Sequence, residues 1–212
     1  DILVCPPFTS LVPVSELLKD TPIKLGAQNV YFEEEGAFTG EVSAKMLKEV
    51  GVSCVICGHS ERRNIFMETN EIINKKVKKT ISTGMTAILC VGEKLEERED
   101  EKTFDIIETQ VQRCLDGIDN TEGLVIAYEP VWAIGTGKNA TPEQAEEVHL
   151  FIKELVSKLF GSSSAESILI LYGGSVKPEN IDLLMAQKDI DGVLVGGASL
   201  KLDSFLRIID YR

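Results

Sequence analysis

Apolar residues in this chain gather into short, nearly unbroken runs, and the stretches between them carry apolar positions at helical spacing. Seven runs read as strands buried on both faces: residues 2–5, 24–28, 54–58, 87–91, 124–128, 168–172 and 192–195. Helices are predicted after them, among others over 41–50, 69–82, 103–115, 142–159 and 200–210. The helix at 142 has the clearest start, with Thr141 as N-cap, Pro142 in the first turn and Gln144 closing a capping box. Regular alternation of strand and helix predicts a parallel α/β sheet, and it is the only repeat in the sequence. The run Gly161-Ser162-Ser163-Ser164 reads as a short loop.

Polar residues that interrupt this pattern at strand ends are the candidates for chemistry. Glu129 follows the apolar run Leu124-Val125-Ile126-Ala127-Tyr128, where a charge needs a reason, and a glycine-bearing loop through Gly135 and Gly137 comes next. His59 follows the run ending at Gly58 and precedes Ser60-Glu61-Arg62-Arg63, at a strand end and near a helix start. A helix N-terminus favours neutral imidazole, which can donate to a carbonyl. His149 lies on a predicted helix and reads as a packing residue. Cys54 and Cys57 are three apart on a strand, so their thiols face opposite ways and read as core rather than as a metal or redox pair.

Four segments in order, Cys57-Gly58-His59-Ser60-Glu61-Arg62-Arg63, Ala127-Tyr128-Glu129-Pro130-Val131-Trp132, Leu171-Tyr172-Gly173-Gly174-Ser175-Val176 and Val193-Leu194-Val195-Gly196-Gly197-Ala198-Ser199, resemble the triosephosphate isomerase family. A fifth, Gly26-Ala27-Gln28-Asn29-Val30 with Gly36-Ala37-Phe38-Thr39-Gly40-Glu41, is similar to that family's third strand and dimer-forming loop. The resemblance spans residues 1–212 and implies a single-domain (β/α)8 TIM barrel. It also implies interconversion of dihydroxyacetone phosphate and D-glyceraldehyde 3-phosphate through an enediolate, without a cofactor. By the same resemblance Glu129 is the base, His59 the electrophile and Glu61 an auxiliary group. Gly135, Ser175, Gly196 and Gly197 hold the phosphate through backbone amides, and the loop after Trp132 acts as a lid.

A barrel of this kind takes roughly 250 residues, and this chain has 212. Seven of eight βα units are visible, and the unit without a counterpart is the first, whose strand carries the family's catalytic lysine. Lys24, Lys138 and Lys177 do not stand in that context. Two readings therefore remain open here: a working isomerase, or an inactive relative that binds phosphate ligands or other chains. The loop through Phe38 implies a homodimer if the full barrel is present.

Composition narrows the classes further. Apolar residues make up 43% and charged residues 26%, which is ordinary for a globular domain. The net charge of −12 argues against nucleic acid and anionic membrane surfaces as partners. Five cysteines and no leader-like start point to a reducing, cytoplasmic setting. With two histidines, no zinc set of the usual spacing is available.

Overall fold

The computed structural model describes residues 1–133 and 140–212. In chain order it contains β1 (Leu3–Val4), α1 (Leu11–Leu18), β2 (Lys24–Ala27), α2 (Ala44–Glu49), β3 (Cys54–Cys57), α3 (Ser60–Asn64), α4 (Asn70–Ser82), β4 (Thr86–Val91) and α5 (Leu95–Glu99). There follow α6 (Thr103–Cys114), β5 (Leu124–Tyr128), α7 (Pro142–Phe160), α8 (Ser162–Ser167), β6 (Leu169–Tyr172), α9 (Ile181–Met185), β7 (Gly192–Val193) and α10 (Leu202–Ile209). All seven predicted strands are present, so the chain is of the α/β class with parallel strands.

Residues group into two compact units. The first holds 1–89, 113–118 and 122–124, and the second holds 90–112, 119–121 and 125–212. In the first, β1, β2, β3 and β4 pair in parallel, with Val4 opposite Leu25, Ala27 opposite Val55 and Cys57 opposite Leu89. Its interior is built from Leu25, Ala27, Leu47, Val55, Cys57, Ile73 and Val77. In the second, β5, β6 and β7 pair in parallel, with Tyr128 opposite Tyr172 and Tyr172 opposite Val193. There Ile126, Tyr128, Ile152, Leu155, Ile170 and Ile181 are buried.

Two expectations are corrected. Of residues 161–164, read as a short loop, 162–164 instead open α8, because Gly161 at φ 91° ends α7 and lets a new helix start at once. Strand β7 stops at Val193, before the expected residue 195, and a 3-10 turn over Gly197–Leu200 takes the chain into α10. The Cys54 and Cys57 reading holds: both are buried, and none of the five cysteines is in a disulfide. Burial pushes the Cys57 thiol up to about 12.

α4 buries Ile73, Lys76, Val77 and Thr80, which share one helical face. A lysine in that row needs compensation, because an unpaired buried charge costs several kcal/mol. Lys76 Nζ donates to the Glu68 carboxylate and to Asn29 Oδ1 at 2.7 Å, and the Arg62 guanidinium also pairs with Glu68. Lys76→Met should therefore destabilise the protein by about 3 kcal/mol, since Glu68 loses a partner it cannot replace with water. Guanidinium denaturation followed by circular dichroism measures this, and an unchanged midpoint would mean that Arg62 alone neutralises Glu68.

The reading of His149 as a packing residue also holds. Its ring is fully buried on α7, and burial pushes its pKa down from 6.5 to about 4. Below pH 6.5 the unfolded chain takes up a proton that the folded one refuses, so stability present above 6.5 is lost as pH falls toward 4. That linkage amounts to about 3 kcal/mol. In a His149→Phe variant this part of the pH dependence should vanish from denaturation midpoints measured between pH 7 and pH 4.5.

Candidate active site

Gly58 makes the turn that ends β3, at φ 75°, and a Cβ there would stand 2.9 Å from Ile73 Cδ1. Arg63 Nε donates to the Gly58 carbonyl at 2.8 Å and pins the turn. His59 follows as N-cap of α3, and its Nδ1 accepts from the Glu61 amide at 3.3 Å. An accepting Nδ1 places the proton of the neutral ring on Nε2, the tautomer suited to donating a hydrogen bond to a carbonyl. The Glu61 carboxylate is largely exposed, 3.8 Å from that Nδ1, so the part of Glu61 that fixes the imidazole is its backbone.

Glu129 stands at the carboxyl end of β5 and is 2% exposed, a depth unusual for a carboxylate. Its amide donates to Val91 O at 2.8 Å, and the Val131 amide donates to Glu93 O at 3.0 Å. These two bonds bracket Gly92 and bring the Glu129 backbone directly over it. A Cβ on Gly92 would lie 1.7 Å from the Glu129 carbonyl oxygen, which no side chain permits. Gln110 holds Gly92 from its other side, accepting from its amide at 2.8 Å and donating to its carbonyl at 3.0 Å. A Cβ on Gly173 would meet Glu129 Cγ at 2.9 Å, so glycines flank both the backbone and the side chain of this residue.

Beside it lies a second buried carboxylate that strand patterning did not single out. Glu93 is fully buried, and its Oε1 accepts from Trp132 Nε1 at 2.8 Å, Tyr128 O–H at 3.1 Å and Arg98 Nη1 at 3.2 Å. It ties the end of β5 to the 3-10 turn Val131–Ala133 and to α5. Burial and the Glu93 charge push the Tyr128 hydroxyl well above its usual range, so it stays a donor. The available signal was Val91-Gly92-Glu93 itself, a strand run ending in a glycine and a charge, the same pattern that picks out Glu129.

The remaining predicted site residues also lie in the second unit. Ser175 follows β6, and Asn180 fixes its loop by donating to the Ser175 carbonyl at 2.8 Å and accepting from the Lys177 amide at 2.8 Å. Gly196 and Gly197 have no atom within 4 Å of where a Cβ would sit, so the main chain there is open to close approach by a ligand. The Gly196 carbonyl accepts from the Ser199 amide and hydroxyl at 2.9 and 2.7 Å, which closes the turn. Gly135, with Lys138 and Asn139 of the expected lid, lies outside the described residues. Among the described residues no cluster of His, Cys, Asp and Glu is arranged to hold a metal ion.

The family model described as triosephosphate isomerase matches residues 1–212. A triosephosphate isomerase of Carboxydothermus hydrogenoformans is 58% identical over 211 residues, covering 99% of this chain and 84% of that protein. Those of Syntrophotalea carbinolica and Dictyoglomus thermophilum are each 55% identical and are each 85% covered. With a match along its whole length, strand ends that carry His59 and Glu129, and seven parallel strands, this chain belongs to the triosephosphate isomerase family.

Proposed function

We propose that this chain interconverts dihydroxyacetone phosphate and D-glyceraldehyde 3-phosphate, with Glu129 as the base. What carries the reading is the setting of Glu129 in a chain of this family. Its carboxylate is almost wholly withdrawn from water, and its main chain is locked over Gly92. A base so held needs no reorganisation to reach a proton on the carbon next to a carbonyl. The carboxylate takes that proton, and the C–H electron pair forms the enediolate double bond as the carbonyl oxygen gains charge. His59 donates from Nε2 to that oxygen, its ring orientation set by the Glu61 amide. The carboxylate then gives its proton to the neighbouring carbon, and the hydroxyl proton on that carbon's oxygen passes by way of the His59 ring to the former carbonyl oxygen, so that one C=O forms as the other becomes C–OH and aldose and ketose are exchanged.

In this reading the phosphate rests on backbone amides at Gly135, Ser175, Gly196 and Gly197, where small residues let the dianion approach the main chain. Glu61 is an auxiliary group through its amide. One catalytic domain over 1–212, a cytoplasmic setting and a homodimer belong to the same proposal. Five cysteines outside any disulfide favour a reducing compartment. Phe38, 40% exposed and packed on Tyr31 at 4.7 Å between ring centroids, supplies an aromatic anchor for a second copy. Among the described residues no helix is long and apolar enough to cross a membrane.

The test is turnover of glyceraldehyde 3-phosphate by purified protein, run beside a Glu129→Gln control that reveals host enzyme. A panel of other sugar phosphates completes it. Faster turnover of a different sugar phosphate, or none that depends on Glu129, would overturn the reading.

A further inference from the structure

We propose that His149 is a positioning residue for the isomerisation: its ring braces Tyr128 and Tyr172, the side chains just before Glu129 and Gly173, and so holds the base in place. The proposal rests on Glu129 being that base.

His149 reaches inward from α7 and is fully buried. Its Nδ1 is 3.0 Å from the Asp189 carbonyl oxygen, which can only accept, so Nδ1 carries the ring proton. Asp189 is itself held firmly, because its amide donates to both carboxylate oxygens of Glu146 at 3.2 and 3.0 Å. Its Oδ1 also accepts from Lys153 Nζ at 3.0 Å. Glu146, His149 and Lys153 follow one another along one face of α7, so the imidazole is mounted on a rigid base.

The working face of the ring points at the sheet. It meets Tyr128 edge-on, with centroids 6.0 Å apart and planes at 82°, and Tyr172 at 6.5 Å and 38°. Those tyrosines face each other in the β5–β6 register, as the last pair before the turns that bear Glu129 and Gly173. The Gly173 amide then donates to the Tyr128 carbonyl at 2.7 Å, and the Tyr128 hydroxyl reaches Glu93. A shift of the ring would be passed through this pair to Glu129, whose Cγ already crowds Gly173.

Nε2 of His149 is buried with no partner among the described residues, an unfavourable arrangement that a hydrocarbon side chain would avoid. Histidine thus does two separable things here: the N–H serves Asp189 and the aromatic face serves the tyrosines. The charged and titratable groups around it are Glu146, Lys153, Asp189, Tyr128 and Tyr172. Burial keeps the imidazole neutral down to about pH 4, so the brace keeps one form through neutral pH.

Two variants separate the roles. His149→Asn keeps a donor and removes the ring, and it should lower kcat about tenfold with KM within twofold. It should also speed hydrogen–deuterium exchange at the Glu129 and Gly173 amides. His149→Phe keeps the ring and removes the donor, so it should lower Tm by roughly 3 °C and keep kcat within twofold. Should His149→Asn be insoluble, His149→Leu against His149→Phe isolates the aromatic face with the same expectation. Equal loss of kcat in the ring-keeping and ring-lacking variants, or unchanged kcat and exchange without the ring, overturns the proposal. If the wild-type protein turns over no triose phosphate, the functional reading fails, while exchange at Glu129 and Gly173 still decides whether His149 braces them.

Discussion

Glu129→Gln should lower kcat about a thousandfold while KM moves only a few-fold, because general-base catalysis contributes roughly 10²–10⁴ in rate and little to ground-state binding. The amide is nearly the same shape as the carboxylate and cannot accept the proton. Gly92 and Gly173 pack closely against the main chain and side chain of the residue, so the side chain should stay where it is. Glu129→Asp asks a different question: it keeps the charge and draws it back by about one bond length, and a displacement of about 1 Å can cost a hundredfold. A coupled assay gives both values, and circular dichroism with Tm shows that the variants are folded. A Glu129→Gln enzyme within tenfold of wild type would remove Glu129 from the role of base.

Gly92→Ala should be the most damaging single methyl group in the described structure. The added carbon would stand 1.7 Å from the Glu129 carbonyl oxygen and 2.7 Å from its carbon, both main-chain atoms. No flexible side chain can swing aside. Gly92 cannot retreat either, since Gln110 holds its amide and its carbonyl. Relief requires breaking the Glu129 N–H bond to Val91, and with it the placement of the base. We expect a loss of about 4 kcal/mol or more, read as a Tm lower by at least roughly 10 °C or as insoluble protein. Gly197→Ala is the contrast: with open space at that position at the start of a 3-10 turn, it should cost under about 0.5 kcal/mol in stability and show its effect in KM. A Gly92→Ala protein that melts within 2 °C of wild type would mean that the two main chains are not in the described contact.

Strands were legible because burial on both faces leaves little room for polar residues, as in Cys54-Val55-Ile56-Cys57. Helix α7 was legible from its cap, since Thr141 and Gln144 exchange the two hydrogen bonds that their spacing predicts. α1 carries Pro13 in its first turn, where the missing N–H has no intrahelical partner to lose, so the helix accepts it. The serines that open α8 looked like loop, because serine is a composition that local preference misjudges.

Within the site, Glu129 and His59 stood out because charge and imidazole at the ends of apolar runs need an explanation. Gly92 did not, since its necessity comes from a backbone that returns much later in the chain. Lys76 sits in the apolar row of α4 and pairs with Glu68, a relation visible only once the residue just ahead of the α4 cap is placed against the helix.

The two kinds of glycine have different evolutionary exposure. Every amino-acid replacement of glycine adds a Cβ, so each one at Gly92 collides with the Glu129 main chain and is removed by folding alone, whatever the cell requires of the enzyme. At Gly196 and Gly197 an added Cβ would meet no neighbour within 4 Å, so the need to seat a ligand weighs far more against replacement there than collision does. A lineage that ceased to depend on the reaction would then lose Gly196 and Gly197 by drift while keeping Gly92, and the order of loss would separate selection for shape from selection for chemistry.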